Sequence, residues 1–107
     1  MLRHAIEHQA ALEAELGQTI KAWLDRDLAA LARINAASVA GEAELERHQA
    51  LLTRRIIDDR TAVMVHRLFV PLRAGGVFVA VGALHLLGAK GMLAQLQKQG
   101  YRLHRVY

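Results

Sequence analysis

Apolar side chains recur at helical spacing through the first two thirds of the chain and then crowd into a denser run with the grammar of a strand. Leu2, Ile6, Leu12 and Leu16 fall on one face among Ala and Glu, which favour helix. The pattern continues past Gly17 through Ile20, Trp23 and Leu24 until "DRD" offers Asp25 or Asp27 as an N-cap for "LAALARINAAS". Two helices with a short joint are expected there. Gly41 precedes "EAELE", whose negative charge suits a helix N-terminus, and helical spacing then runs through Leu45, Leu52, Ile56 and Val63. Pro71 and the pair Gly75-Gly76 should end this region, with a kink near Asp58-Asp59.

After those glycines "VFVAVG" is β-rich and bounded by glycine, which fits a strand buried on both faces. "AKGMLAQLQKQ" reads as a short helix closed by Gly100, and "YRLHRVY" alternates like a last strand. The expected fold class is therefore α/β: N-terminal helices, then a strand-helix-strand order with the spacing of a parallel, right-handed βαβ unit. Two strands cannot bury both faces of "VFVAV". The segment thus reads as the closing portion of a larger α/β fold, or as one that pairs with another copy. A homo-oligomer is the expected state of the isolated chain.

The chain has 107 residues, 53% of them hydrophobic, which suits one domain spanning 1–107 with a core. Absence of cysteine excludes disulfides and thiolate metal sites, leaving His, Asp and Glu as possible ligands. No run approaches the roughly 20 apolar residues of a spanning helix, and "MLRHAIEHQA" has no uninterrupted apolar core of an export signal, so the chain as given reads as cytoplasmic. Net charge is +4, but every acid lies in residues 1–60, whereas residues 61–107 contain six Lys/Arg and none. Those six, Arg67, Arg73, Lys90, Lys98, Arg102 and Arg105, are scattered among apolar residues, which argues against a nucleic-acid footprint.

His85 stands out among the six histidines because "VGALHLLGAKG" places it after a strand-like run and before a helix, the edge where open α/β sheets bind ligands. Gly82 would ease the turn. A helix beginning near Gly88 would direct its positive end to the loop and favour a neutral imidazole, the form that binds metal or accepts a proton. The plainer reading is a histidine that caps backbone groups. His4 and His8 share a helical face by spacing but have no third ligand nearby. Trp23 and Phe69 read as core or interface anchors rather than substrate platforms.

The stretch "FVAVGALHLLGAKGMLAQLQKQGYRLHRVY" resembles the C-terminal signature of the TraB/GumN family, to which the Tiki metalloproteases belong. The likeness rests on Gly82, His85, Leu86, Gly88, Gly91, Gly100 and Tyr101. Upstream, "DDRTAVM" places Arg60 and Met64 where the family has an Arg-Asn pair followed by Met, with Thr61 in place of asparagine. "TIKAWLDRDLAAL" is similar to an Ala-Trp segment ending in Gly-Asp-Leu, with Arg26 where glycine is usual. Leu87 stands at a frequent proline and Ala89 at a frequent acid. The resemblance covers residues from about 19 to the end.

What this resemblance implies is the C-terminal part of a metal-dependent peptide hydrolase. His85 would be a metal ligand and catalytic residue, Arg60 an electrostatic aid to catalysis, and Gly82 and Gly88 part of the motif. The cofactor of a complete member would be a divalent metal: Zn, Mn or Co. Family members are longer and carry an earlier Gly-x-x-His and an acidic residue, so a missing N-terminal half would complete the site on a peptide or protein substrate. For Arg60 an ion pair with nearby acids is an equal alternative, and for the chain as a whole a non-catalytic oligomeric scaffold or binding module is the other reading.

Overall fold

The computed structural model describes residues 2–106, the side chains of His4 and Ala5 excepted. Two compact units divide the chain after Ala50. The first contains α1 (Leu2–Glu7), α2 (Gln9–Leu24), α3 (Leu28–Ala37) and most of α4 (Ala43–Leu52). The second contains a π-helical segment (Thr53–Asp58), α5 (Asp59–Ala74), a 3₁₀ turn (Ala83–His85) and α6 (Met92–Lys98).

In the first unit α2 and α3 form a helical hairpin around a tight joint, and α1 is set off from α2 at His8. Gly17 is carried inside α2, as its flanking pattern requires. The joint is a Schellman closure: the Asp27 N–H donates to the Ala22 carbonyl at 2.9 Å and the Arg26 N–H to that of Trp23 at 3.1 Å. Such a closure needs one left-handed residue, and here it is Arg26, with φ of 54°. Asp27 then caps α3, its Oδ1 accepting from the Ala30 N–H at 3.0 Å. Asp25 instead ends α2 and accepts from Lys21 Nζ at 2.7 Å. That hydrogen bond, with the carboxylate's charge behind it, raises the Lys21 pKa above its ordinary value. Glu46 reaches back from the acidic first turn of α4 to accept the Gly41 N–H at 2.9 Å.

In the second unit the π-helical segment changes which side chains face inward. The Asp59 N–H bonds to the Arg54 carbonyl five residues back, not four, so the inserted residue turns the following face by about 100°. The stripe extrapolated from a uniform helical period fails accordingly. Ile56 and Val63 are 52% and 48% exposed, while Thr61 and Val65 are buried. The π-helical segment ends at Asp58, next to the place where the sequence predicts a kink. Pro71 does not stop α5. The helix continues to Ala74 and ends at Gly75, whose φ of 79° lets its N–H return to the Pro71 and Leu72 carbonyls.

The expected α/β class is overturned, because no strand is present among the described residues and the fold is all-helical. "VFVAV" and "RLHRV" do not pair, so there is no βαβ unit. A lone parallel pair is the weakest sheet: it covers neither face of either strand, and its slanted hydrogen bonds give less per residue than antiparallel ones. Nor does a helix begin near Gly88. Gly88 lies in a turn with φ of 79°, and α6 starts only at Met92. Gly100 closes α6 as expected, with φ of 92° and the same Schellman pair, Gly100 N–H to Gln97 and Tyr101 N–H to Leu96.

Arg26 therefore holds a conformation that costs a residue with a Cβ about 1 kcal/mol or more. Arg26→Gly should raise stability by about 1 kcal/mol, and Asp27→Ala should lower it by about 1 kcal/mol. Urea denaturation followed by circular dichroism measures both, and equal midpoints for the two variants would contradict the assignment of this joint.

Candidate functional site around His85

Thr61 and His85, separated by 24 residues, meet in the second unit. Thr61 sits on the first turns of α5 and is only 1% exposed. His85 ends the 3₁₀ turn and is half-buried. Thr61 Oγ1 lies 2.8 Å from His85 Nδ1 and 2.6 Å from the Ile57 carbonyl oxygen.

Proton accounting fixes the direction of these bonds. A hydroxyl has one proton, and a carbonyl oxygen can only accept. Thr61 therefore donates to Ile57 and accepts from His85, so Nδ1 carries a hydrogen. In the neutral ring this leaves Nε2 as the nitrogen with the lone pair, the atom that can ligate a metal or take up a proton.

The loop carrying His85 is closed by its own backbone. The His85 N–H donates to the Gly82 carbonyl at 3.0 Å, and the Gly91 N–H donates to that of Gly88 at 3.0 Å. Gly82 has an ordinary φ of −59°, and a Cβ there would only touch the His85 ring at 3.5 Å. The sterically required glycine is Gly91. A Cβ on it would collide with the Leu87 carbonyl and lie 2.6 Å from the Leu86 oxygen. Leu87 and Ala89 are both accommodated in this closed loop.

Arg60 neighbours Thr61 on α5 with its side chain exposed. Among the described residues it forms no ion pair, and Asp58 lies instead 4.0 Å from Lys90 Nζ. A separate cleft of about 490 Å³ is lined by Arg54, Asp58, Asp59, Phe69, Lys90 and Lys98 among others, but not by Arg60 or His85. His4 has its side chain outside the described residues, and His8 stands at the joint between α1 and α2 rather than inside one helix. Trp23 is 65% exposed and so is no core residue of this chain, whereas Phe69 is half-buried, its ring edge-on to His66 at 6.1 Å.

A family model described as the TraB/PrgY/gumN family matches residues 1–105. The chain belongs to this family. The match reaches back to the first residue, well before the segments in which the likeness is readable by eye. No curated protein and no solved structure matches the chain. Within this TraB/PrgY/gumN member, the residue that sequence reasoning missed is Thr61. Its signal was present: a small hydroxyl side chain four residues before Val65, at a position set apart only as a departure from asparagine.

Removing the hydroxyl should leave the His85 Nδ1–H without its acceptor. Thr61→Val is expected to destabilise the second unit by about 1–3 kcal/mol, while Thr61→Ser should retain most of the stability. Gly91→Ala should be at least as damaging as Thr61→Val, because the obstructing atoms are backbone. Chemical denaturation of the three variants checks both expectations.

Proposed function

We propose that this chain is the C-terminal part of a Tiki-like peptide hydrolase, inactive alone, in which His85 contributes one imidazole to a composite site. The observation that supports this reading is the Thr61–His85 hydrogen bond, which holds the ring through Nδ1 and keeps Nε2 available. Arg60, exposed one residue away from Thr61, would orient a substrate carboxylate or hold a polarised carbonyl oxygen by charge-assisted hydrogen bonds. A divalent ion is the cofactor the family likeness suggests. Among the described residues no three of His, Asp and Glu gather as a metal-holding group, so this chain by itself does not fit one. The remaining groups would come from another polypeptide segment.

A non-catalytic scaffold is the second reading, favoured by the many exposed apolar side chains. Leu2, Ile6, Leu16, Trp23 and Leu24 are each at least 60% exposed, whereas among the described residues Ala22, Val39, Val65 and Met92 are the buried hydrophobic ones. No helix of the described residues is long and apolar enough to cross a membrane.

The two readings separate on complementation. The chain is mixed with a TraB-type N-terminal segment carrying its own Gly-x-x-His, and hydrolysis of a fluorogenic peptide mixture is followed with Zn, Mn or Co. Activity should appear only in the mixture and be lost in His85→Ala and reduced at least tenfold in Arg60→Ala. Both variants should keep stability within about 1 kcal/mol, because Thr61 retains its Ile57 acceptor and exposed Arg60 has no partner to lose. Absence of hydrolysis, or hydrolysis indifferent to His85→Ala, would favour the scaffold.

A further inference from the structure

The cleft of about 490 Å³ in the second unit has neither His85 nor Arg60 in its lining, yet its walls are held in place and its charges are unbalanced. Ala62, Val65 and Phe69 recur at three- and four-residue spacing, so one face of α5 supplies an apolar floor. The other wall is the end of the His85 loop at Lys90, followed by Gln95 and Lys98 of α6. That wall is braced, because Gln95 Nε2 donates to the Lys90 carbonyl at 2.7 Å and Gly91 is packed against the backbone of Leu86 and Leu87. Small-molecule clefts run from about 300 to 1,000 Å³, so a space of this size takes a compact guest rather than a helix.

Five charged side chains line the cleft: Arg54, Lys90 and Lys98 against Asp58 and Asp59. Asp58 is committed to Lys90, 4.0 Å away. The side chains of Arg54, Lys98 and Asp59 have no ion-pair or hydrogen-bond partner among the described residues. One free carboxylate thus stands against two free cations, in a unit that holds nine Lys or Arg and only two acids. A cationic guest would add to that excess and a neutral one would leave it unanswered, whereas carboxylate and phosphate oxygens accept from both guanidinium and ammonium. We propose that this cleft is a binding site for a small amphipathic anion, a carboxylate or phosphate monoester whose apolar body lies on Ala62, Val65 and Phe69 and whose charge is answered by Arg54 and Lys98.

This inference is independent of the hydrolase reading, and its test uses the full chain. Proton–nitrogen correlation spectra are followed during titration with hexanoate, hexyl phosphate or hexylammonium, three probes that share one tail. Both anions should give saturable shifts at the Ala62, Phe69, Gln95 and Lys98 amides, with hexylammonium at least about tenfold weaker. Acetate and inorganic phosphate, which lack the tail, should each be weaker than the tailed anion by about tenfold or more. The tighter of the two tailed anions identifies the head group that the cleft accepts. Arg54→Ala combined with Lys98→Ala should weaken anion binding by about tenfold or more, with helical circular dichroism unchanged because both side chains are exposed and unpartnered. Arg67→Ala combined with Arg73→Ala removes the same charge from exposed positions of α5 outside the lining and should leave binding as it was. Absence of saturable shifts, hexylammonium binding as tightly as the anions, binding indifferent to the tail, or equal losses in the two double variants overturns the proposal.

Discussion

The hydrogen bond between Thr61 and His85 sets the second unit's chemistry, because it joins the start of α5 to the end of a loop that has no sheet to rest on. Thr61 can serve as acceptor for the ring only because its own proton is committed to the Ile57 carbonyl one turn back. That carbonyl belongs to the π-helical segment, whose extra residue brings Thr61 and Val65, rather than Val63, to the buried face. A local change of helical pitch, a buried hydroxyl and the orientation of an imidazole are thus one connected constraint.

Two left-handed helix endings show how the backbone meets similar demands with unequal residues. Gly100 and Arg26 occupy equivalent positions in equivalent Schellman closures, at φ of 92° and 54°. Glycine adopts the conformation without steric cost, while arginine has a Cβ to accommodate. At Gly91 the requirement differs: it is space, not φ, since the carbonyls of Leu86 and Leu87 close over the position a Cβ would take.

Helices defined by caps and local periodicity were legible in the sequence. Asp27, the acidic turn around Glu44 and Glu46, and the Gly100 closure each depend on residues within one or two turns of one another. The strands read from the sequence do not form among the described residues, because β-propensity at Val77, Phe78 and Val79 reports fitness for a pleated surface, and a strand exists only when a second backbone completes it. The π-helical segment was likewise invisible to a reading that assumes 3.6 residues per turn throughout. His85 was singled out, but the reasons of sheet edge and adjacent helix do not hold. What orients it is Thr61, a contact across 24 residues that no local pattern encodes. Family membership was legible from the spacing of Gly82, His85, Gly88 and Gly91, and the family match extends it across residues 1–105.

The central claim is that Thr61 fixes His85 with its hydrogen on Nδ1 and its lone pair on Nε2. Long-range proton–nitrogen correlation on uniformly ¹⁵N-labelled protein reads the ring tautomer directly at a pH where His85 is neutral. The account predicts a protonated Nδ1 and an unprotonated Nε2 for His85 in the wild-type chain, with this preference lost in Thr61→Val. A hydrogen on Nε2 in the wild-type chain, or a tautomer unmoved by Thr61→Val, would contradict it.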